Sequence, residues 1–182
     1  MSKFVNYKKR SFTLPPGCKN LSDVLAPSRQ QTKGTIVSCG FPRVEIKEDR
    51  VPSAGLAQVE RYVSIVIASR AELFTLSVAA HGFQFPVTLY RSRIEQMFAI
   101  VLVLKEAHQE RAVRTYFEQQ GLDAIYDQSD VDTPDATRCL AFPLPVDVAR
   151  ATSVTIELLR RVYGLSEEAG LDFRYYEMEK AA

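Results

Sequence analysis

Four aspartates lie within nine residues of the sequence, at Asp127, Asp130, Asp132 and Asp135. Carboxylate oxygens are the ligands that calcium and magnesium prefer, so this acidic loop is a weak candidate for a divalent-metal site or for carboxylate chemistry. The loop lacks the sixth-position glycine and the closing glutamate of an EF-hand, and Pro134 stiffens it. Loop aspartates that bond their own backbone explain the same residues. We therefore expect no metal and no other cofactor.

The histidines and cysteines are few and widely spaced. His81 and His108 form no H-x-x-x-H or H-x-x-E pair, and Cys18, Cys39 and Cys139 include no C-x-x-C pair. The nucleophile motif G-x-S-x-G and both glycine-rich phosphate-binding motifs are absent from the sequence. These absences favour a non-enzymatic protein. They also predict that Cys139 is a small buried hydrophobic residue rather than a nucleophile.

The first ten residues combine cations with aromatic rings, namely Lys3, Phe4, Tyr7, Lys8, Lys9 and Arg10. Because the net charge of the whole chain is only +1, attraction to an anionic partner has to come from a local patch such as this one. The basic arm suits the phosphates of a nucleic acid or an acidic protein, and a solvated tail is the alternative. Apolar residues also occur along the arm, at Phe4, Val5, Phe12, Leu14, Leu21, Val24 and Leu25. They are more numerous than a solvated tail requires, which favours ordering against the chain's own domain or another chain.

Composition and apolar runs indicate the broad class. A hydrophobic fraction of 46% and a charged fraction of 25% are typical of a globular domain that needs no disulfide. No apolar signal segment follows the basic start, and runs such as Phe98–Leu104 are too short to span a bilayer. Together with the odd number of cysteines, this predicts a cytoplasmic protein without membrane contact.

The chain divides into an N-terminal arm with an irregular strand pair, residues 1–50, and a single compact domain, residues 51–182. Ser53 is a predicted N-cap of a helix whose apolar positions run from Leu56 to Ile67 at helical spacing. Segments 73–79 and 85–91 alternate apolar and polar residues, which predicts a hairpin with one face in water.

The remaining predicted elements are a central strand at 98–104, a helix at 106–120, a short strand at 124–127, a strand at 138–145, a helix at 147–164 and a strand at 171–176. Gly121 is predicted to end the first of these helices, and Asp147 to cap the second. Pro143 and Pro145 predict that the strand at 138–145 is an edge strand or ends there.

Over residues 97–178 this order is β-α-β-β-α-β, that of a ferredoxin-like core with two helices on one face of an antiparallel sheet. The preceding hairpin would extend that sheet. From residue 53, the order helix, three strands, helix, two strands, helix is similar to type III secretion chaperones and their YbjN-like relatives. This resemblance covers roughly two-thirds of the chain and is one of element order, without a shared sequence motif.

The expected function is non-enzymatic binding or assembly through the basic arm and a sheet surface that includes Tyr176. A protein partner or a homo-oligomer is expected, with nucleic acid as an alternative partner of the arm. Two other functions remain open at this stage. One is a ferredoxin-like dimeric domain that binds a small regulatory molecule, and the other is an enzyme with carboxylate or divalent-metal chemistry at residues 127–135.

Overall fold

The computed structural model describes residues 44–81, 86–130 and 137–178 of the chain. These residues form an α+β fold with a seven-stranded antiparallel sheet and three α-helices. The strands are β1 (Val44–Val51), β2 (Leu73–Ala80), β3 (Val87–Ser92), β4 (Met97–Leu104), β5 (Tyr126–Asp130), β6 (Thr137–Pro143) and β7 (Leu171–Met178). The helices are α1 (Val59–Ala68), α2 (Ala107–Glu118) and α3 (Val148–Tyr163), and a short 3-10 helix (Gly55–Gln58) precedes α1.

The ends of α2 and α3 follow from local sequence. The Asp147 side chain accepts a hydrogen bond of 2.7 Å from the backbone N–H of Arg150, so the predicted cap of α3 is confirmed. Gly121 and Gly164 follow α2 and α3 with φ of 66°, a left-handed conformation that glycine adopts without strain. The predicted stop at Gly121 is therefore confirmed.

The start of α1 differs from the prediction, and the end of α1 is stabilised by a residue on β3. No side chain caps the 3-10 helix before α1, so the predicted Ser53 cap is wrong. At the other end, the Arg91 guanidinium on β3 donates hydrogen bonds to the backbone carbonyls of Val66, Ile67 and Ser69. Because the last carbonyls of a helix have no partner within it, this arginine satisfies them and places a positive charge at the negative end of the helix dipole.

The main core lies between one face of the sheet and the three described helices. Two stacked ring pairs join the layers, Phe117 with Phe142 at 3.8 Å and Tyr62 with Phe173 at 3.9 Å between ring centroids. The predicted inward stripe of α3 is confirmed, since all six of its residues are buried: Ala151, Val154, Thr155, Leu158, Leu159 and Val162.

The strand order is β1-β7-β2-β3-β4-β6-β5. A ferredoxin-like core is not confirmed, because β7 pairs with β1 and β2 while β4 pairs with β3 and β6. The β2–β3 hairpin lies inside the sheet, between β7 and β4, instead of extending it at an edge. Strand β6 ends at Pro143 as predicted, but it lies between β4 and β5, so the edge-strand alternative is wrong.

Strand β1 crosses the boundary that the sequence placed between residues 50 and 51. All eight of its residues pair with β7, from Val44 opposite Met178 to Val51 opposite Leu171. Residues 44–51 are thus part of the sheet. None of the helices in the described ranges has the length and apolar character needed to cross a membrane.

Replacing Leu158 with alanine should lower the free energy of unfolding by about 2–5 kcal/mol, because Leu158 is fully buried between α3 and the sheet. Ser153→Ala on the exposed side of the same helix is the matched control and should change it by less than about 0.5 kcal/mol. Chemical denaturation followed by circular dichroism measures both. An unchanged midpoint for Leu158→Ala would contradict the packing of α3.

Candidate binding surface

The face of the sheet opposite the three helices, called here the helix-free face, has a small-residue and apolar centre. Two cross-strand rows form this centre: Thr75, Tyr90 and Ala99 in one, and Ser77, Thr88, Val101 and Ala141 in the other. A second cluster of buried residues, Tyr90, Val101 and Ala141, is centred here. Within the described residues no helix packs on it. The helix-free face is therefore a second apolar surface of the sheet.

At the centre of the helix-free face, burial is as complete as in the main core. Tyr90 is 3% exposed, Thr88 and Val101 are each 1% exposed, and Ala141 is fully buried. The prediction that one face of the hairpin is in water is therefore wrong. The Ser77 and Thr88 hydroxyls lie 3.1 Å apart and bond each other, so neither requires water.

Charged residues line the side of the helix-free face formed by β1 and β7. The Arg174 guanidinium donates to Glu48 at 2.8 Å, and Arg50 Nε donates to Asp172 Oδ1 at 2.9 Å. His81 Nδ1 lies 3.0 Å from the same Asp172 oxygen. Burial alone raises the pKa of Asp172, but hydrogen bonds from His81 and Arg50 outweigh it and the net pKa is lowered. These residues of β1 and β7, together with His81, are called here the charged strip. Each carboxylate in it is paired with a basic side chain.

Tyr176 lies on the helix-free face where the charged strip meets the apolar centre, opposite Thr75. It is half-buried, and burial is the main cause that raises the pKa of its hydroxyl. Tyr175 points to the other face, where its ring stacks with Phe74 at 5.8 Å. The alternation of the two tyrosines thus leaves Tyr176 at the rim of the candidate surface.

Asp127 of the acidic loop lies on β5 between two arginines. Arg114 Nη2 donates to Asp127 Oδ2 at 2.8 Å, and Arg138 Nε donates to Asp127 Oδ1 at 2.6 Å. Arg114 also bonds Glu110 at 2.8 Å. Burial alone raises the pKa of Asp127, but the hydrogen bonds from the two arginines outweigh it and the net pKa is lowered. Both oxygens of Asp127 already have partners within the protein.

Several candidate residues cannot be placed at a site. The arm residues Lys3, Phe4, Tyr7, Lys8, Lys9 and Arg10 lie outside the described residues, as do Asp132 and Asp135. Asp130 is the last residue of β5, and its side chain is not among those described. Among the described residues, no three histidine, cysteine or acidic side chains are grouped so that they could hold a metal ion.

Cys139 lies on β6 and packs, partly buried, against the apolar centre of the helix-free face. Burial raises the pKa of its thiol to about 12, and the nearby charge of Asp127 acts in the same direction. At neutral pH the group is therefore a protonated thiol and a poor nucleophile.

The comparison of this chain with protein-family models, curated proteins and solved structures finds no match. The structure itself defines an α+β protein with an antiparallel sheet whose central strands are buried on both faces. Sequence reasoning predicted β4 as a central strand, but it placed one face of the β2–β3 hairpin in water and so missed the burial of the helix-free face there. Ala99 and Val101 alternate with Phe98, Ile100 and Leu102 along β4, and a strand that is apolar at every position requires cover on both sides.

Replacing Asp127 with asparagine should lower stability at pH 7 by about 0.5–1 kcal/mol, the range for a solvent-accessible network. A carboxyl whose pKa is lowered on folding stabilises the protein above its unfolded pKa of about 3.9, and this contribution is lost as pH falls through the folded pKa. The difference between native protein and variant should therefore shrink below about pH 4. Urea denaturation at several pH values measures this difference.

The exposed Asp123 provides the matched control, because Asp123→Asn removes the same charge outside this network. This variant should leave the pH dependence of stability nearly unchanged. Equal effects of the two substitutions at every pH would show that the arginines do not stabilise Asp127.

Cys139 should react with iodoacetamide at least about tenfold more slowly in the native protein than in urea at pH 8. A thiol with a pKa of about 12 provides far less thiolate at that pH than one with the unfolded value, and its greater intrinsic nucleophilicity compensates only in part. Mass spectrometry of the peptide that contains Cys139 gives both rates. Equal rates would contradict its placement in an apolar environment.

Proposed function

We propose that this chain is a non-enzymatic binding or assembly protein that holds a macromolecular partner through its N-terminal arm and the helix-free face. The observation that carries this proposal is the rim of the helix-free face at β1 and β7, where the Arg50 side chain is 70% exposed and the Arg174 side chain is 40% exposed beside the half-buried Tyr176. This rim is open to a partner, whereas Tyr90 and Val101 at the apolar centre are covered within the chain.

The chemistry of the described residues supports binding over catalysis. Both oxygens of Asp127 accept from arginines, Asp172 is paired with Arg50 and His81, and the Cys139 thiol is protonated. A general base or a nucleophile needs an available lone pair that points at a substrate. The pairing of Asp127 weakens the alternative of carboxylate or divalent-metal chemistry at residues 127–135.

The alternative of a ferredoxin-like regulatory dimer also loses support. In that fold the last strand lies beside the first, so that two sheets of a defined shape can pair around a ligand. Here β2 and β3 separate β7 from β4. The order of elements from α1 to α3 is the one on which the resemblance to type III secretion chaperones depends, and chaperones act by binding other proteins.

A protein is a better match for this surface than a nucleic acid. Nucleic-acid surfaces present arginine and lysine charges to phosphates and expose aromatic rings to bases. In the described part of the helix-free face, Arg174 and Arg50 are paired with carboxylates, and the Tyr90 ring is covered. The cations of the arm suit the acidic side chains of a protein partner.

Replacing Lys8, Lys9 and Arg10 together with glutamine should weaken partner binding about tenfold at roughly 50 mM salt and much less at roughly 500 mM. Salt already screens these charges at the higher concentration. The partner is first captured from the native cell on the full chain at moderate salt, identified by mass spectrometry and purified. Isothermal calorimetry then gives its affinity for each variant.

A second set of three charges on the compact domain provides the matched control. Arg70, Arg93 and Arg111 are exposed, and their replacement with glutamine changes the net charge equally. This control should retain the native affinity. Removal of residues 1–27 should abolish binding while the circular dichroism spectrum stays that of a folded protein. An affinity unchanged by either arm variant would refute the proposal, and loss of the captured material on nuclease treatment would replace the protein partner with nucleic acid.

A further inference from the structure

Strand β1 is an edge of the sheet, and among the described residues no strand lies on its outer side. Its eight residues pair with β7 in continuous register, from Val44 opposite Met178 to Val51 opposite Leu171. In a regular antiparallel pair, every second residue directs its backbone N–H and C=O away from the neighbouring strand. The outer side of β1 therefore presents a row of backbone donors and acceptors to which another strand can bond.

The sequence of β1 does little to block such pairing. Proteins protect an edge strand by making it short, by placing a proline or a bulge in it, or by adding charge. Strand β1 has eight residues, whereas β5 at the opposite edge has five. Its sequence from Val44 to Val51 contains no proline or glycine, and its register is not interrupted. Of these features, β1 has only charge.

Four consecutive exposed residues carry most of the charge of β1, namely Lys47, Glu48, Asp49 and Arg50. The second and the fourth are paired with charged residues of β7 at 2.8 and 2.9 Å. Asp49 Oδ2 accepts a hydrogen bond of 3.0 Å from the Tyr62 hydroxyl on α1. Lys47 Nζ lies 5.8 Å from the centroid of the Tyr175 ring on β7. These contacts draw the four side chains toward β7 and α1, away from the outer edge.

The order of these charges is basic, acidic, acidic, basic, and it reads the same in both directions of the chain. Residues opposite each other on paired strands attract when their charges differ and repel when their charges are alike. A strand with the order acidic, basic, basic, acidic is therefore complementary to β1 whichever way it runs. The edge of β1 favours this order over others.

A second copy of β1 does not have the complementary order. Two copies in antiparallel contact are related by a two-fold axis normal to the sheet, so a residue on the axis is opposite the same residue of the other copy. Lys47 then lies opposite Lys47, or Glu48 opposite Glu48, and like charges in this position are destabilising. The complementary strand therefore comes from a different protein.

We propose that the protein partner adds an extended segment to the outer edge of β1, and that this segment has the charge order acidic, basic, basic, acidic. The backbone of β1 supplies the hydrogen bonds, and the side chains from Lys47 to Arg50 select the partner by charge. This inference rests on the proposed function, because it describes how a partner contacts the rim at β1 and β7.

The test uses two blocked peptides, with the sequences T-V-E-K-K-E-V-T and T-V-K-E-E-K-V-T. They have the same composition and no net charge, so they differ only in the order of their charges. Valine and threonine favour the extended conformation in both. Fluorescence anisotropy gives the affinity of each labelled peptide for the full chain. Hydrogen exchange of the ¹⁵N-labelled full chain, followed by nuclear magnetic resonance, shows which backbone amides each peptide protects.

The first peptide should bind at least about tenfold more tightly than the second, because contacts between opposite charges replace contacts between like charges. It should also slow the exchange of alternate amides within residues 44–51 and leave the amides of β5 unchanged. Equal affinities of the two peptides, or a lack of protection in β1, would overturn the inference.

The purified partner separates this inference from the proposed function. A saturating amount of the first peptide should displace the partner from the full chain, and the same amount of the second peptide should not. A partner that stays bound beside the first peptide would overturn strand addition at β1 and leave the proposed function intact. The affinity of the arm variants, measured without peptide, tests the proposed function separately.

Discussion

The central strands of this sheet bury side chains on both faces, and this constraint governs the rest of the fold. Ile100 and Val101 are adjacent on β4 and point to opposite faces, yet both are at most 1% exposed. One face obtains its cover from α1, α2 and α3, and the other is the helix-free face. A strand buried in this way has to be apolar at every position and paired along both sides, so β4 lies in the interior between β3 and β6.

Charge is consequently confined to the edges of the sheet, where it is balanced locally. Asp127 lies between two arginines near the β5 edge, and Glu48 and Asp172 are paired with arginines near the β1 edge. Arg91 is the exception, because its strand is central and its guanidinium is used to satisfy the end of α1. A surface balanced in this way has little long-range field.

Sequence patterns identified the elements whose causes are local. Helix α3 was predictable because Asp147 caps it, a buried stripe runs along it and Gly164 ends it. The order of the strands was not predictable in this way. Whether β7 pairs with β2 or with β4 depends on contacts between segments that are distant in sequence. The helix-free face was missed for a related reason. Four strands contribute to its apolar centre, and the Ser77 and Thr88 hydroxyls that suggested water bond each other in the sheet.

The position of β7 between β1 and β2 also has a consequence for synthesis on the ribosome. Arg174 and Glu48 are paired across β7 and β1 although 126 residues separate them in sequence. Strands β1 and β2 are made early, and each lacks this neighbour until nearly the whole described chain has emerged. Pairing at such separation is slow, because a long loop has to close first. The exposed edge of β1 carries four consecutive charged residues, from Lys47 to Arg50. Until β7 is made, these charges disfavour edge-to-edge pairing between the β1 strands of neighbouring nascent chains.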